Sequence, residues 1–455
     1  MDGLKLGLDL CDGYTKLSCQ GMERTWAFPT VVCRKKEEDQ WLIGEDAYAS
    51  ALMGDGVIVD KLLKLVKKDG TSTISGIKYR GVEILVRFLE RVLMLPVEEM
   101  TGRQRIDGGD APGVGQMPGQ GQKTDGAQSS PEMYAAAASE FQDGESRGAG
   151  AWVEQLVITV PDVEARLLDC LMYCGDYLKI PRDRIHVISH TEAFLYYVLN
   201  QKREMWNNQV GMFDLSEEGL YYYEMKVQRG MRKVTVVAEK EKLDEGFSLD
   251  VLNSPSGMKL ADKILCACGE RFLQKKLFSS VFLAGKGFEN QDWAPEFMKL
   301  VCARRRVFVE PAMFSEGAAL RAADLTAGKT SYPYVMICDG RLDTTVCVNV
   351  FYQDKENQLV LAAAGDSWYE SRSTVDFILD NQNYLEFSII PLDSKNTRTV
   401  KMVLEGFPER DDKTVRVQTQ VGFLDEKTMA VVVKDMGFGE FFPSTGAVLR
   451  QEVMI

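Results

Sequence analysis

The order of elements along this chain runs twice, and that repeat limits the folds open to it more than any single motif. The first run opens with a strand over residues 5–10, a tight turn at Cys11-Asp12-Gly13-Tyr14, a strand over 15–20 and a third over 26–33. Asp-Gly between alternating segments is a strong hairpin signal. Helical periodicity follows over 59–68 and 82–95, then a buried-type strand over 156–160, a helix over 163–178, a strand over 186–189 and a helix over 191–202. The second run restarts at Val210: a strand to Leu215, a turn through Ser216-Glu217-Glu218-Gly219, strands over 220–227 and 233–239, and a helix over 257–273. A strand over 280–284, a helix over 294–303, a strand over 306–310 and a helix over 314–325 complete it. Hairpins that feed a helix-covered sheet, done twice, predict an α/β chain of two similar lobes with a cleft between them, residues 1–205 and 206–330.

Two segments stand outside the repeat. Residues 101–150 are rich in Gly, Gln, Asp, Ser and Ala and poor in β-branched and aromatic residues. Such a segment buries too little apolar surface to offset its ordering entropy, so it is expected to be a disordered insertion in the first lobe. From residue 331 to 455 the pattern turns to short strands, over 334–337, 344–350, 358–363, 384–390, 399–404, 416–423 and 429–433. This predicts an all-β sandwich of about seven strands.

Composition narrows the partners. A length of 455 residues with 45% hydrophobic content allows substantial cores, in about two to four domains. The net charge of −13 argues against nonspecific binding to nucleic acid or anionic membrane. The ten cysteines follow no framework: Cys170/Cys174 and Cys266/Cys268 have neither redox nor zinc spacing, so reduced, buried thiols are expected. With no signal segment and no long apolar run, the expectation is a cytoplasmic protein without a membrane span.

Several stretches resemble one family, the Hsp70 chaperones of the actin-like (ribonuclease H-like) ATPase group. Val157-Ile158-Thr159-Val160-Pro161, a helix, then Val187-Ile188-Ser189-His190-Thr191-Glu192-Ala193 is similar to the end of the Hsp70 first lobe. Phe28-Pro29-Thr30-Val31-Val32, Leu42-Ile43-Gly44-Glu45-Asp46-Ala47 and Asp60-Lys61-Leu62-Leu63 follow in the family's order. Val281-Phe282-Leu283-Ala284-Gly285 and Glu316-Gly317-Ala318-Ala319 resemble its adenosine strand and second connecting helix. The segment 415–435 is similar to the β substrate-binding domain. The resemblance covers most of the chain and implies a divergent bacterial branch of the group.

That resemblance implies ATP and Mg²⁺ in the cleft, with Asp9 and Asp214 as the hairpin carboxylates that hold the metal through water, and Lys61 near the position of a catalytic lysine. Cys11, Asp12, Gly13, Ser216 and Gly219 would stand at the phosphate, Gly285 and Gly287 at the adenosine, and Glu316 and Gly317 of the second connecting helix would complete the cofactor-binding set. The departures are as telling. Wrapping a phosphate requires close backbone approach, hence Gly, Ser or Thr. Here the first turn is Cys11-Asp12-Gly13 and the second Ser216-Glu217-Glu218-Gly219, which adds three carboxylates. A carboxylate ~5 Å from a phosphate charge costs about 3 kcal/mol at an effective dielectric near 20. Both turns also suit ordinary exposed hairpins, and Lys61 also suits a solvated helix position. His190 replaces a family glutamate and suits lining or packing the cleft. Lys286 and Phe288 depart from the adenosine-loop pattern, and residues 241–274 are too few for the family's adenine-clamping subdomain.

Residues 434–443, Lys-Asp-Met-Gly-Phe-Gly-Glu-Phe-Phe-Pro, carry Gly-flanked aromatics that would either pack inside the sandwich, the simpler reading, or line a partner surface. The first expectation is therefore a degenerate Hsp70-like protein-binding or scaffold module, with a protein partner or peptide client and no nucleotide cofactor. The alternatives are an active ATP-dependent chaperone ATPase using Asp9, Asp214 and Lys61, and a filament-forming actin relative.

Overall fold

The computed structural model describes residues 3–36, 40–101, 148–229, 233–243, 246–392, 396–410 and 413–455. The expected disordered insertion falls, but for its ends, outside the described residues. The described chain is mixed α/β with several separate sheets.

β1 (Leu4–Leu10), β2 (Tyr14–Cys19) and β3 (Thr25–Pro29) form an antiparallel meander. β4 (Val32–Lys35), β5 (Trp41–Ile43) and β6 (Gly56–Val59) make a small sheet beside α1 (Gly44–Leu52). α2 (Leu62–Lys67), the hairpin of β7 (Thr71–Ile74) and β8 (Ile77–Arg80), and α3 (Gly81–Thr101) follow. β9 (Val153–Val160) runs parallel to β1, α4 (Ala165–Tyr177) crosses back, β10 (Ile185–Ser189) runs parallel to β9, and α5 (His190–Asn200) leaves the sheet. The order is β10-β9-β1-β2-β3.

The second run repeats this. β11 (Gln209–Ser216), β12 (Gly219–Gln228) and β13 (Thr235–Lys242) are the meander. α6 (Pro255–Leu273) starts where Ser254 accepts a hydrogen bond from the Gly257 N–H and Pro255 fills the first turn, two ordinary helix-start devices. β14 (Phe278–Ala284) is parallel to β11, α7 (Pro295–Val301) intervenes, β15 (Arg306–Val309) is parallel to β14, and α8 (Met313–Thr326) leaves. The order β15-β14-β11-β12-β13 matches the first sheet strand for strand, and β16 (Val335–Ile337) adds a sixth strand parallel to β13. The strand expected to open the β-rich module thus belongs to the second sheet.

Alternation in β1 explains the layering. Leu4, Leu6, Leu8 and Leu10 share one face and are buried with α3 and α4; each such leucine contributes roughly 1.5–3 kcal/mol. Lys5, Gly7 and Asp9 share the other face. There α5 and α8 form a central core with Val157 and Ile188 of the first sheet and Met212, Tyr223 and Phe282 of the second. α6 and α7 cover the far side of the second sheet. Gly7 is what lets α8 approach, because a Cβ there would sit 2.1 Å from the Ser315 carbonyl oxygen.

Two expectations about local structure need correction. The single strand over 26–33 is broken at Thr30, whose N–H bonds the Gly13 carbonyl and whose hydroxyl lies 2.8 Å from that of Thr15. The helix over 59–68 begins only at Leu62, after Lys61 adopts a left-handed φ of 52°.

β17 (Thr344–Tyr352), β18 (Lys355–Ala362), β19 (Ser373–Leu379), β20 (Tyr384–Pro391), β21 (Arg398–Val403), β22 (Val415–Phe423), β23 (Thr428–Asp435) and β24 (Val448–Met454) form two four-stranded sheets, β18-β17-β20-β21 and β19-β22-β23-β24. They share one core. The loop after β23 is braced by Asp435, which accepts hydrogen bonds from the Gly437 and Thr445 N–H groups and pairs with Arg410. The Phe side chains expected to pack inside do not all do so: Phe441 is 93% exposed and Phe438 39%.

Candidate functional site

The matching hairpins place Asp9 and Asp214 at equivalent points of the repeat. Asp9 pairs with Thr159 on the parallel neighbour of its strand, and Asp214 pairs with Ala284 on the parallel neighbour of its own. Both carboxylates are buried between the sheets. Burial, with Asp9 and Glu218 nearby, pushes the Asp214 carboxyl up to about 7, against the pull of His190 and Lys16.

His190 is the first residue of α5, where the Ser189 side chain caps the helix by accepting the Glu192 N–H. Its Nε2 lies 2.8 Å from Asp9 Oδ1, and its ring stacks on Phe314 of α8 with centroids 4.0 Å apart. The Cys11 Sγ lies 3.5 Å from Asp9 Oδ1 and 3.7 Å from His190 Nε2. Burial, then the surrounding carboxylates, pushes the Cys11 thiol well up.

The remaining turn residues divide. Asp12 faces out of this cluster: its carboxylate accepts the N–H groups of Leu63 and Lys64 and caps α2, with Lys61 exposed at the same turn. Gly13 points across to the other hairpin, donating its N–H to Glu218 at 3.1 Å. A Cβ on Gly13 would meet Glu217 Cβ at 2.8 Å, so the two turns touch. Lys286 reaches Glu217 at 3.6 Å and the Tyr14 hydroxyl at 3.1 Å, and Lys16 donates to the Pro311 carbonyl. Ser216 and Gly219 close the β11–β12 turn opposite one another, Gly219 with φ 124°.

Gly285 and Gly287 fit against the second hairpin strand: a Cβ would lie 2.4 Å from Asp214 Oδ1 at the first and 2.4 Å from a Leu215 methyl at the second. Gly317 fits against α5, where a Cβ would lie 2.0 Å from the Ala193 carbonyl oxygen. Glu316 groups with Glu310 and Tyr197, and burial, then Glu310, raises its carboxyl. The structure therefore gathers Asp9, Cys11, Gly13, Asp214 and Gly285, and leaves Asp12, Lys61 and Glu316 in other surroundings.

Sequence reasoning missed Phe314 and the anchoring of the C-terminal sheets. Arg341 pairs with the buried Glu192 of α5, the Ser189 hydroxyl donates to the Asp339 carbonyl, and the Tyr369 hydroxyl donates to the Val187 carbonyl.

A family model described as "Family of unknown function (DUF5716) C-terminal" matches residues 13–107 and 142–339. The chain belongs to the DUF5716 family. A second model, "Domain of unknown function (DUF8552)", matches residues 341–455. Arg341, at the first position of the DUF8552 match, is thus salt-bridged to Glu192 inside the DUF5716 match. No curated protein matches the chain. Among the described residues no helix is long and apolar enough to cross a membrane.

Proposed function

We propose that this chain is a nucleotide-independent protein-binding or scaffold module on a duplicated, two-lobed actin/Hsp70-type frame. The observation that carries it is the Glu218 carboxylate on the Gly13 N–H. In a phosphate-binding hairpin that N–H would point at the ligand's anion. Here the opposite hairpin supplies the anion from within the protein, Glu217 lies against the same glycine, and Lys286 ties both turns together. Mg-ATP does not fit these residues: entering phosphates would have to displace Glu218 and then face the two glutamates of the second turn. The thiol and imidazole beside Asp9 are also poor company for Mg²⁺, which favours oxygen ligands.

The frame itself is supported by the identical strand order of the two sheets and by the pair of helices, α5 and α8, held between them. The β-rich segment 341–455 is the seat for a protein partner or peptide client in this reading, since Phe441 projects from a loop that Asp435 holds in place. Eight buried and two less buried free cysteines suit a reducing, cytoplasmic setting. Millimolar Mg-ATP or Mg-ADP should leave the thermal midpoint unchanged. A ligand at about 100 times its Kd would stabilise the fold by about 2.7 kcal/mol, and a shift of that size would favour the ATPase reading instead.

A further inference from the structure

Asp9 Oδ1, Cys11 Sγ and His190 Nε2 all lie within 4.8 Å of one another. Their residues are 6%, 8% and 5% exposed. We propose that these three side chains form a binding site for one thiophilic divalent transition ion, zinc foremost. This does not rest on the Glu218–Gly13 contact that carries the nucleotide-independent reading, since neither residue is a ligand here.

The three donors converge. Cys11 Sγ and Asp9 Oδ1 approach the same imidazole nitrogen, Nε2. A nucleophilic relay needs the thiol on one ring nitrogen and the carboxylate on the other, so the triad is not built to activate the sulfur. Three donors aimed at a common point are what a metal needs.

Tetrahedral zinc, with bonds of about 2.3 Å to sulfur and about 2.0 Å to nitrogen and oxygen, sets its ligand atoms roughly 3.3–3.5 Å apart. The observed sulfur–oxygen and sulfur–nitrogen separations are 3.5 and 3.7 Å. The nitrogen–oxygen separation is 2.8 Å and must open by about 0.5 Å as a hydrogen bond gives way to two metal bonds.

One buried hydroxyl next to Asp9 is orphaned. Thr159 is the register partner of Asp9, on the same face of the first sheet, and its buried hydroxyl has no hydrogen-bond partner among the described residues. Three protein ligands leave the fourth zinc position to water, and this hydroxyl stands beside the site to receive it.

The donor set also selects the ion. Thiolate, imidazole and carboxylate together suit zinc or cobalt rather than magnesium or calcium. On binding, the Cys11 thiol proton leaves to solvent, the S–H bond is replaced by a metal–thiolate bond, and the imidazole binds through Nε2 as the Nδ1–H tautomer. No electron is transferred. Two negative ligands then neutralise the ion in a buried setting.

The test is a cobalt(II) titration of the full chain after chelator treatment, in a Cys302→Ser background that removes the exposed thiol. The expected result is a thiolate-to-cobalt charge-transfer band saturating at one equivalent and abolished by one equivalent of zinc. Changes to groups behind metal ligands alone cost 10–100-fold, so Cys11→Ser should lose the band and weaken binding by at least about 100-fold. His190→Gln should weaken it similarly while keeping the band at saturating cobalt. No band, or a band that survives Cys11→Ser, overturns the proposal. Should Cys11→Ser fail to fold, the parent chain still decides: displacement of cobalt by equimolar zinc but not by equimolar magnesium supports the site, and displacement by magnesium overturns it.

Discussion

At the residue scale, Asp214 carries the clearest pH signature. Its carboxyl is raised from 3.8 to about 7 in the fold, chiefly by burial. Between those values the folded state holds the proton and the unfolded state does not, so this group lowers stability as pH rises from about 4 to about 7. The slope is about 1.4 kcal/mol per pH unit. Asp214→Asn keeps the shape of the neutral form and removes that slope. Measured with chelator present, the variant should match the parent near pH 4 and be more stable at pH 8, by up to about 4 kcal/mol. A stability difference that does not change with pH would contradict the account. The aspartates and hairpin turns were legible in the sequence because strand alternation and turn residues are local signals. The role of Asp12 was not, because the helix it caps begins 50 residues away and nothing in a turn names its distant partner.

At the scale of elements, α8 is held by two glycine contacts, Gly7 under it and Gly317 within it. Alanine in a helix interior is favoured over glycine by about 1 kcal/mol. At Gly317 the added Cβ would sit 2.0 Å from the Ala193 carbonyl oxygen, a backbone atom that cannot swing aside. Overpacking of that kind costs about 1–3 kcal/mol or more, so sterics win and Gly317→Ala should lower the denaturation midpoint. A rise would mean that α5 and α8 are not packed this closely. The alternation in β1 and the doubled order of strands and helices could be read directly. The destination of β16 could not: Val335-Met336-Ile337 is too short to state which sheet it joins, and its pairing with β13 is decided about 100 residues from its partner. β24 was missed because most of its side chains are exposed and its sequence lacks a clear apolar alternation.

At the scale of the whole molecule, the segments matched by the two family models are joined through Arg341 and Glu192, the glutamate only 1% exposed. Removing one member of a buried ion pair leaves an uncompensated charge and costs about 3–5 kcal/mol. Arg341→Met should show that loss in chemical denaturation, and adding Glu192→Leu should recover most of it. Additive losses would mean the two side chains act independently. Nothing local in the sequence announces this pair, since its members are separated by the whole second sheet.

In the proposed function, Glu218 takes the place that a phosphate would hold in a nucleotide-binding hairpin. Calorimetric titration of the full chain with Mg-ATP and Mg-ADP tests it most directly. The account predicts no heat of binding. Binding tighter than ~100 μM, about 5.5 kcal/mol, would contradict it and show that the hairpins part to admit a nucleotide.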